Sequence, residues 1–178
     1  MTAIPFHTVT ALLLFGLLPF LTATGSRAAW TEREEEPVCE AGQLWDARNS
    51  VCIAAEGANL PDGNLLDYAR ALADAGRYQE ALGVLDLLKA PETAKALNIR
   101  GFATRKLGRT AEGIAHYLKA VALDPDFPEA REYLGEAYVT TGRFDLAREQ
   151  LAQIERICGR FCPEYVELAG EIGKAQAR

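Results

Sequence analysis

One tripeptide occurs three times and constrains the rest of the chain: Gly76-Arg77-Tyr78, Gly108-Arg109-Thr110 and Gly142-Arg143-Phe144. The first two copies start 32 residues apart and the next two 34 apart. Each follows apolar residues at helical spacing and precedes more of them, with a small residue (Ala81, Gly113, Ala147) three positions on. Repetition at this period marks stacked helical units, because one such unit cannot bury its apolar face alone. The expected fold class is all-α, an α-solenoid of antiparallel helix pairs.

The local pattern supplies the helices. Leu65, Tyr68, Ala69 and Leu72 fall on one face at i, i+3, i+4 and i+7. Gly76 then ends that helix as a left-handed C-cap. Tyr78, Ala81, Leu82, Leu85 and Leu88 give the second helix its face. Asp62 is placed to cap the first helix, and Pro91 to close the pair or open the next helix. The second pair uses Leu97, Gly101 and Thr104, then Ile114, Tyr117 and Val121, and closes at Asp124-Pro125. The third uses Leu134, Gly135 and Tyr138, then Phe144, Ala147, Leu151 and Ile154. The three arginines beside the hinge glycines are expected to face solvent.

These positions resemble tetratricopeptide repeats. That pattern places a large and a small residue side by side in the first helix, then an aromatic, a glycine, an aromatic, small residues and a closing proline. The third unit fits best, with Leu134-Gly135, Tyr138, Gly142, Phe144, Ala147 and Leu151. Arg100 stands where the second unit should carry a large apolar residue, Thr104 and Thr110 replace aromatics, and the first unit is two residues short. The resemblance implies repeats at 62–93, 94–127 and 128–161. Tyr165, Leu168, Ala169 and Ile172 then form a capping helix within 162–178. It also implies a concave face lined by the first helix of each pair. Arg70, Lys95, Asn98, Phe102, Arg105, Glu129, Glu132 and Glu136 map onto that face, with the basic strip in the middle beside an acidic one. Such a face suits an extended protein or peptide partner with charges of both signs, or a partner helix. Alternatively, the two strips pair with each other across the groove.

The N-terminal third reads differently. Residues 1–29 resemble a secretory signal: Val9 to Ala23 is uncharged and mostly apolar, too short for the roughly 20 residues of a membrane span. Small residues after it place cleavage near 25/26 or 28/29, which predicts an exported, periplasmic or secreted protein with no stable membrane span. A charged linker occupies 30–37. Cys39 and Cys52 bracket a turn-rich stretch within 38–55, with twelve residues between them and no second ligand pair nearby. A disulfide closing a β-hairpin or tight loop is expected, stabilising the fold by roughly 3 kcal/mol on the loop-entropy argument. Cys39 to Cys52 also resembles one loop of the small chitin-binding modules. Trp45 then stacks on a sugar, giving a cell-wall glycan as the alternative partner, or plugs the end of the first repeat.

Cys158 and Cys162 flank a break at Gly159 and Pro163. In a continuous helix their Cβ atoms would stand about 5–6 Å apart, beyond the span of a disulfide. The break allows a bridge, a staple of at most roughly 2 kcal/mol. A redox-active thiol pair is the competing reading.

Composition excludes several functions. The net charge is −6 with no basic block, so no nucleic-acid partner is expected. The only histidines are His7 and His116, and the only serines Ser26 and Ser50. That leaves little material for acid–base or nucleophilic catalysis. No catalytic, cofactor or metal residues are assigned, and the expectation is a non-enzymatic interaction module.

Overall fold

The computed structural model describes residues 37–56 and 58–177. The expected targeting segment, 1–29, and nearly all of the expected linker, 30–37, lie outside them. No helix among the described residues is long and apolar enough to cross a membrane.

A short hairpin comes first. Strands β1 (Gln43–Asp46) and β2 (Val51–Ala54) pair antiparallel, with Leu44 opposite Ile53 and Trp45 opposite Cys52. The turn between them is held by Asp46, whose carboxylate accepts from the Arg48 backbone N–H at 3.0 Å and the Asn49 amide at 2.7 Å. A Cys39–Cys52 disulfide closes the unit.

Seven helices follow: α1 (Asp62–Asp74), α2 (Tyr78–Leu85), α3 (Ala94–Lys106), α4 (Thr110–Leu123), α5 (Pro128–Thr140), α6 (Phe144–Cys158) and α7 (Pro163–Gln176). The hinges between α1 and α2, α3 and α4, and α5 and α6 are built alike. Gly76, Gly108 and Gly142 hold φ of 77°, 87° and 74°, a region that costs an L side chain about 1–2 kcal/mol. The following arginine N–H reaches back to the Leu72, Thr104 or Tyr138 carbonyl, at 2.8, 3.2 and 2.8 Å. The same arginine's carbonyl then accepts from Ala81, Gly113 or Ala147, opening the next helix. One glycine therefore lets a single residue close one helix and start its partner.

Three local expectations are corrected. Asp62 does not cap α1. Pro61 is the N-cap residue, and the Asp62 carboxylate accepts instead from the Lys89 and Ala90 backbone N–H groups, at 3.0 and 2.8 Å. It thereby ties the entry of the first pair to its exit. Pro91 does not open α3. Thr93 caps it, its hydroxyl accepting from Ala96 N–H at 3.2 Å. Leu88 lies beyond α2, buried in the exit turn. The two-residue shortening falls on α2, which has 8 residues against 14 in α4 and 15 in α6.

The pairs approach closely where small residues permit it. A Cβ at Gly101 would stand 2.7 Å from the Tyr117 ring, and one at Gly135 would stand 2.5 Å from Leu168 of α7. Helix α7 packs on both α5 and α6, as the first helix of a further unit would. The core forms two main clusters. One joins Cys39 and Leu44 of the hairpin to Tyr68, Leu72, Leu85 and Ile99. The other holds Tyr117, Leu134, Ile154 and Leu168. Leu97, Ala120 and Ala130 form a small cluster of their own, and Phe102 packs against both large ones.

Candidate partner-binding face

Helices α1, α3, α5 and α7 contact one another in sequence, so their free sides form a continuous face. Lys95, Asn98, Phe102 and Arg105 share one side of α3 by helical spacing. Glu129, Tyr133 and Glu136 do the same on α5.

The structure brings five of the eight assigned residues together. Arg70 of α1 forms an ion pair with Glu129 of α5 at 2.5 Å and donates to the Tyr133 hydroxyl at 3.3 Å. Arg105 of α3 pairs with Glu136 of α5 at 2.7 Å. Beneath these pairs lie aromatics: Phe102 and Tyr133 have ring centroids 5.2 Å apart, and Tyr78 meets Phe102 edge-on at 6.1 Å. The Lys106 ammonium lies 5.2 Å from the Phe102 centroid and the Arg70 guanidinium 5.8 Å from that of Tyr133. Positive charge over a ring face is favourable. Burial pushes the Tyr117 phenol up to about 12, against the neighbouring Arg105. The opposite strips thus pair with each other, as the second of the two sequence readings has it, over an apolar floor that screens them little.

The other three part company. Lys95 pairs with Asp67 at 2.6 Å on the half-exposed rim. Asn98 is wholly buried, and both atoms of its amide lie without a hydrogen-bond partner. Glu132 is not on the open face. Only 4% of it is exposed, because α7 covers it. Burial, then a hydrogen bond with Glu167 and the charges of Glu167, Glu136 and Glu164, pushes its carboxyl up to about 9. Glu132 therefore holds a proton at neutral pH, and the acidic strip is shorter than its sequence.

Two further residues belong to this picture and have weak sequence signals. Tyr133 joins Arg70, Phe102 and Tyr117, yet it precedes the conspicuous Leu134-Gly135 step, which masks it. Arg77 departs from the solvent-facing expectation. It binds Glu80 through two nitrogens, at 2.7 and 2.5 Å, and donates to the Cys39 carbonyl. It links the hairpin to the first hinge. Arg109 and Arg143 are exposed, as expected of them, and Arg143 also lies over the Tyr138 ring, 4.6 Å from its centroid. Arg100 finds a carboxylate, Asp86, at 2.9 Å.

Trp45 is half-buried against the cluster of the first repeat, beside Leu44 and Cys39. That geometry supports the plug. The Cys158 and Cys162 sulfurs are bonded across the α6–α7 turn.

Residues 101–142 match the family profile described as TPR repeat. That stretch carries a tetratricopeptide repeat. A TPR repeat-containing thioredoxin of Arabidopsis thaliana, TTL4, is 30% identical over 95 residues, which is 52% of this chain and 13% of that one. The chain thus spans about an eighth of that curated relative. A thermophilic TPR protein of Thermus thermophilus superposes with a TM-score of 0.52 at 26% identity, covering 65% of this chain and 64% of the other. The type III secretion chaperone SycD of Yersinia enterocolitica, solved with a peptide of the translocator YopD, gives 0.52 at 18% identity over 65% and 88%. The SycD likeness is one of fold. Helices α1, α3 and α5 each open a helix pair, and α7 packs on α5 as the first helix of a further pair would.

Proposed function

We propose that this TPR protein is an exported, non-enzymatic adaptor that holds an extended segment of a protein partner along its first-helix face. The observation that carries this is the pairing of Arg70 and Arg105 with Glu129 and Glu136 over the Phe102–Tyr133 floor. Each charge already has a partner. A ligand of one sign would strand the opposite charge in a poorly solvated place, which is strongly unfavourable. A segment carrying both signs exchanges pair for pair and gains the aromatic floor. The fold that SycD shares accommodates a peptide in that protein, which is compatible with such a ligand here. Export is supported by the buried Cys39–Cys52 bond, since disulfides of this kind persist in oxidising compartments.

Synthetic extended peptides provide the test, with fluorescence anisotropy as the readout. Peptides with alternating signs are expected to bind, and peptides of either single sign to bind at least tenfold more weakly. Arg105→Glu and Glu129→Lys should weaken binding several-fold. Equal binding of single-sign peptides, or unchanged affinity in both variants, would remove the face from the function.

A further inference from the structure

The two disulfides differ in ways that matter chemically. Cys39 is only 3% exposed, packed with Leu44 and Tyr68, and its bond closes a separation of 13 residues. Cys158 is exposed, Cys162 is half-exposed, and their bond closes a separation of only 4. A short loop gains little from cross-linking, so little opposes its opening. Cys162 is also the N-cap residue of the 14-residue helix α7. A thiolate released there meets the unsatisfied N–H groups and positive end of the helix. Between the two cysteines Phe161 is 99% exposed, the most exposed large apolar side chain among the described residues.

We propose that Cys158–Cys162 is a thiol–disulfide exchange site, opened by a dithiol protein that docks on Phe161. The thiolate of the incoming dithiol attacks the exposed Cys158 sulfur. A mixed disulfide forms there, and Cys162 leaves with the electron pair as a thiolate at the start of α7. The second thiol of the reductant, as its thiolate, then resolves the mixed disulfide. The partner ends as a disulfide, and Cys158 and Cys162 as thiols, once protons from the dithiol or solvent are bound. Two electrons pass from the dithiol to the cystine. Two charges face the reaction. Arg160, the nearest cation in the loop, is already paired with Glu155 at 2.6 Å. The Glu164 carboxylate lies within 4.8 Å of both sulfurs and opposes each developing negative charge. Opening the bond leaves α7 held to α5 by Leu168 packed against Gly135. The bond therefore tethers the end of α6 to the start of α7 without being what holds α7 on α5. It depends on neither the peptide reading of the face nor its ligand.

The test uses the purified full-length oxidised protein, graded dithiothreitol or a thioredoxin-class dithiol, alkylation, and peptide mass spectrometry. The Cys158–Cys162 bond is expected to open at least tenfold faster than Cys39–Cys52 while the fold stays intact by circular dichroism. Glu164→Gln should speed opening by dithiothreitol several-fold. Phe161→Ser should slow the reaction with the protein dithiol and leave that with dithiothreitol unchanged. Opening of both bonds together, only on unfolding, would overturn the proposal. So would rates indifferent to Glu164 and Phe161.

Discussion

Glu132 carries a proton at neutral pH, and that fixes the sign of one pH dependence. Its carboxyl is raised by burial against α7 to about 9, from an ordinary value of 4.5. Between those values the folded chain binds a proton that the unfolded chain does not. Stability is therefore greatest below pH 4.5 for this group and falls as pH rises towards 9, by no more than about 1.4 kcal/mol per pH unit. Urea midpoints at pH 5, 7 and 9 should decline in the wild type, and Glu132→Gln should flatten the decline. An equal slope in the variant would place the titration elsewhere. Gly101→Ala brings a Cβ to 2.7 Å from the Tyr117 ring. It should cost about 1–3 kcal/mol in chemical denaturation, as overpacking does. The sequence makes Gly101 legible, because a small residue repeats at that step of the pattern. It misplaces Glu132 for an equally physical reason. Repeat spacing tells which side of its own helix a residue occupies, not which later helix will cover that side.

The elements were more readable than their joints. Positive-φ glycines fix each hinge, and Gly, unlike any other residue, enters that region at little cost. Gly142→Ala, at φ 74°, should therefore lower stability by about 1 kcal/mol in equilibrium unfolding, with the helices otherwise intact. The hairpin was legible from its cysteines and turn residues. Its attachment was not, since Arg77 reads locally as one more solvent-facing hinge arginine. Its two bonds to Glu80 and its bond to the Cys39 carbonyl make it the joint between strand unit and solenoid. Arg77→Ala should cost about 1 kcal/mol and speed amide exchange in Gln43–Asp46, leaving α5–α7 unaffected. Unchanged exchange in the hairpin would show that the disulfide and Leu44 suffice. Asp62 and Thr93 make the same point at the helix entrances. Several residues near a boundary can cap, and tertiary geometry selects among them.

At the scale of the molecule, the core is two large clusters with Phe102 in contact with both. Stacked repeats are stabilised by each unit and by its interfaces with its neighbours. Phe102→Ala is thus expected to cost about 2–3 kcal/mol. It should also broaden a single unfolding transition into two, seen as earlier exchange in α1 and α2 than in α5–α7. Retention of one sharp transition would show that the Leu97, Ala120 and Ala130 cluster and the Arg70 tie couple the halves without Phe102. Arg70 adds a constraint of another kind. Through Glu129 and Tyr133 it ties the first repeat directly to the third, skipping the second. Such a tie is a chord across an arc. While it holds, the spacing between the outer repeats is set, and with it the length of anything that lies along the face. Neither Arg70 nor Glu129 belongs to the core clusters, so the tie is separate from the packing that builds the stack. One guanidinium thus spans two repeats, and a partner's carboxylate reaching it has to compete with Glu129.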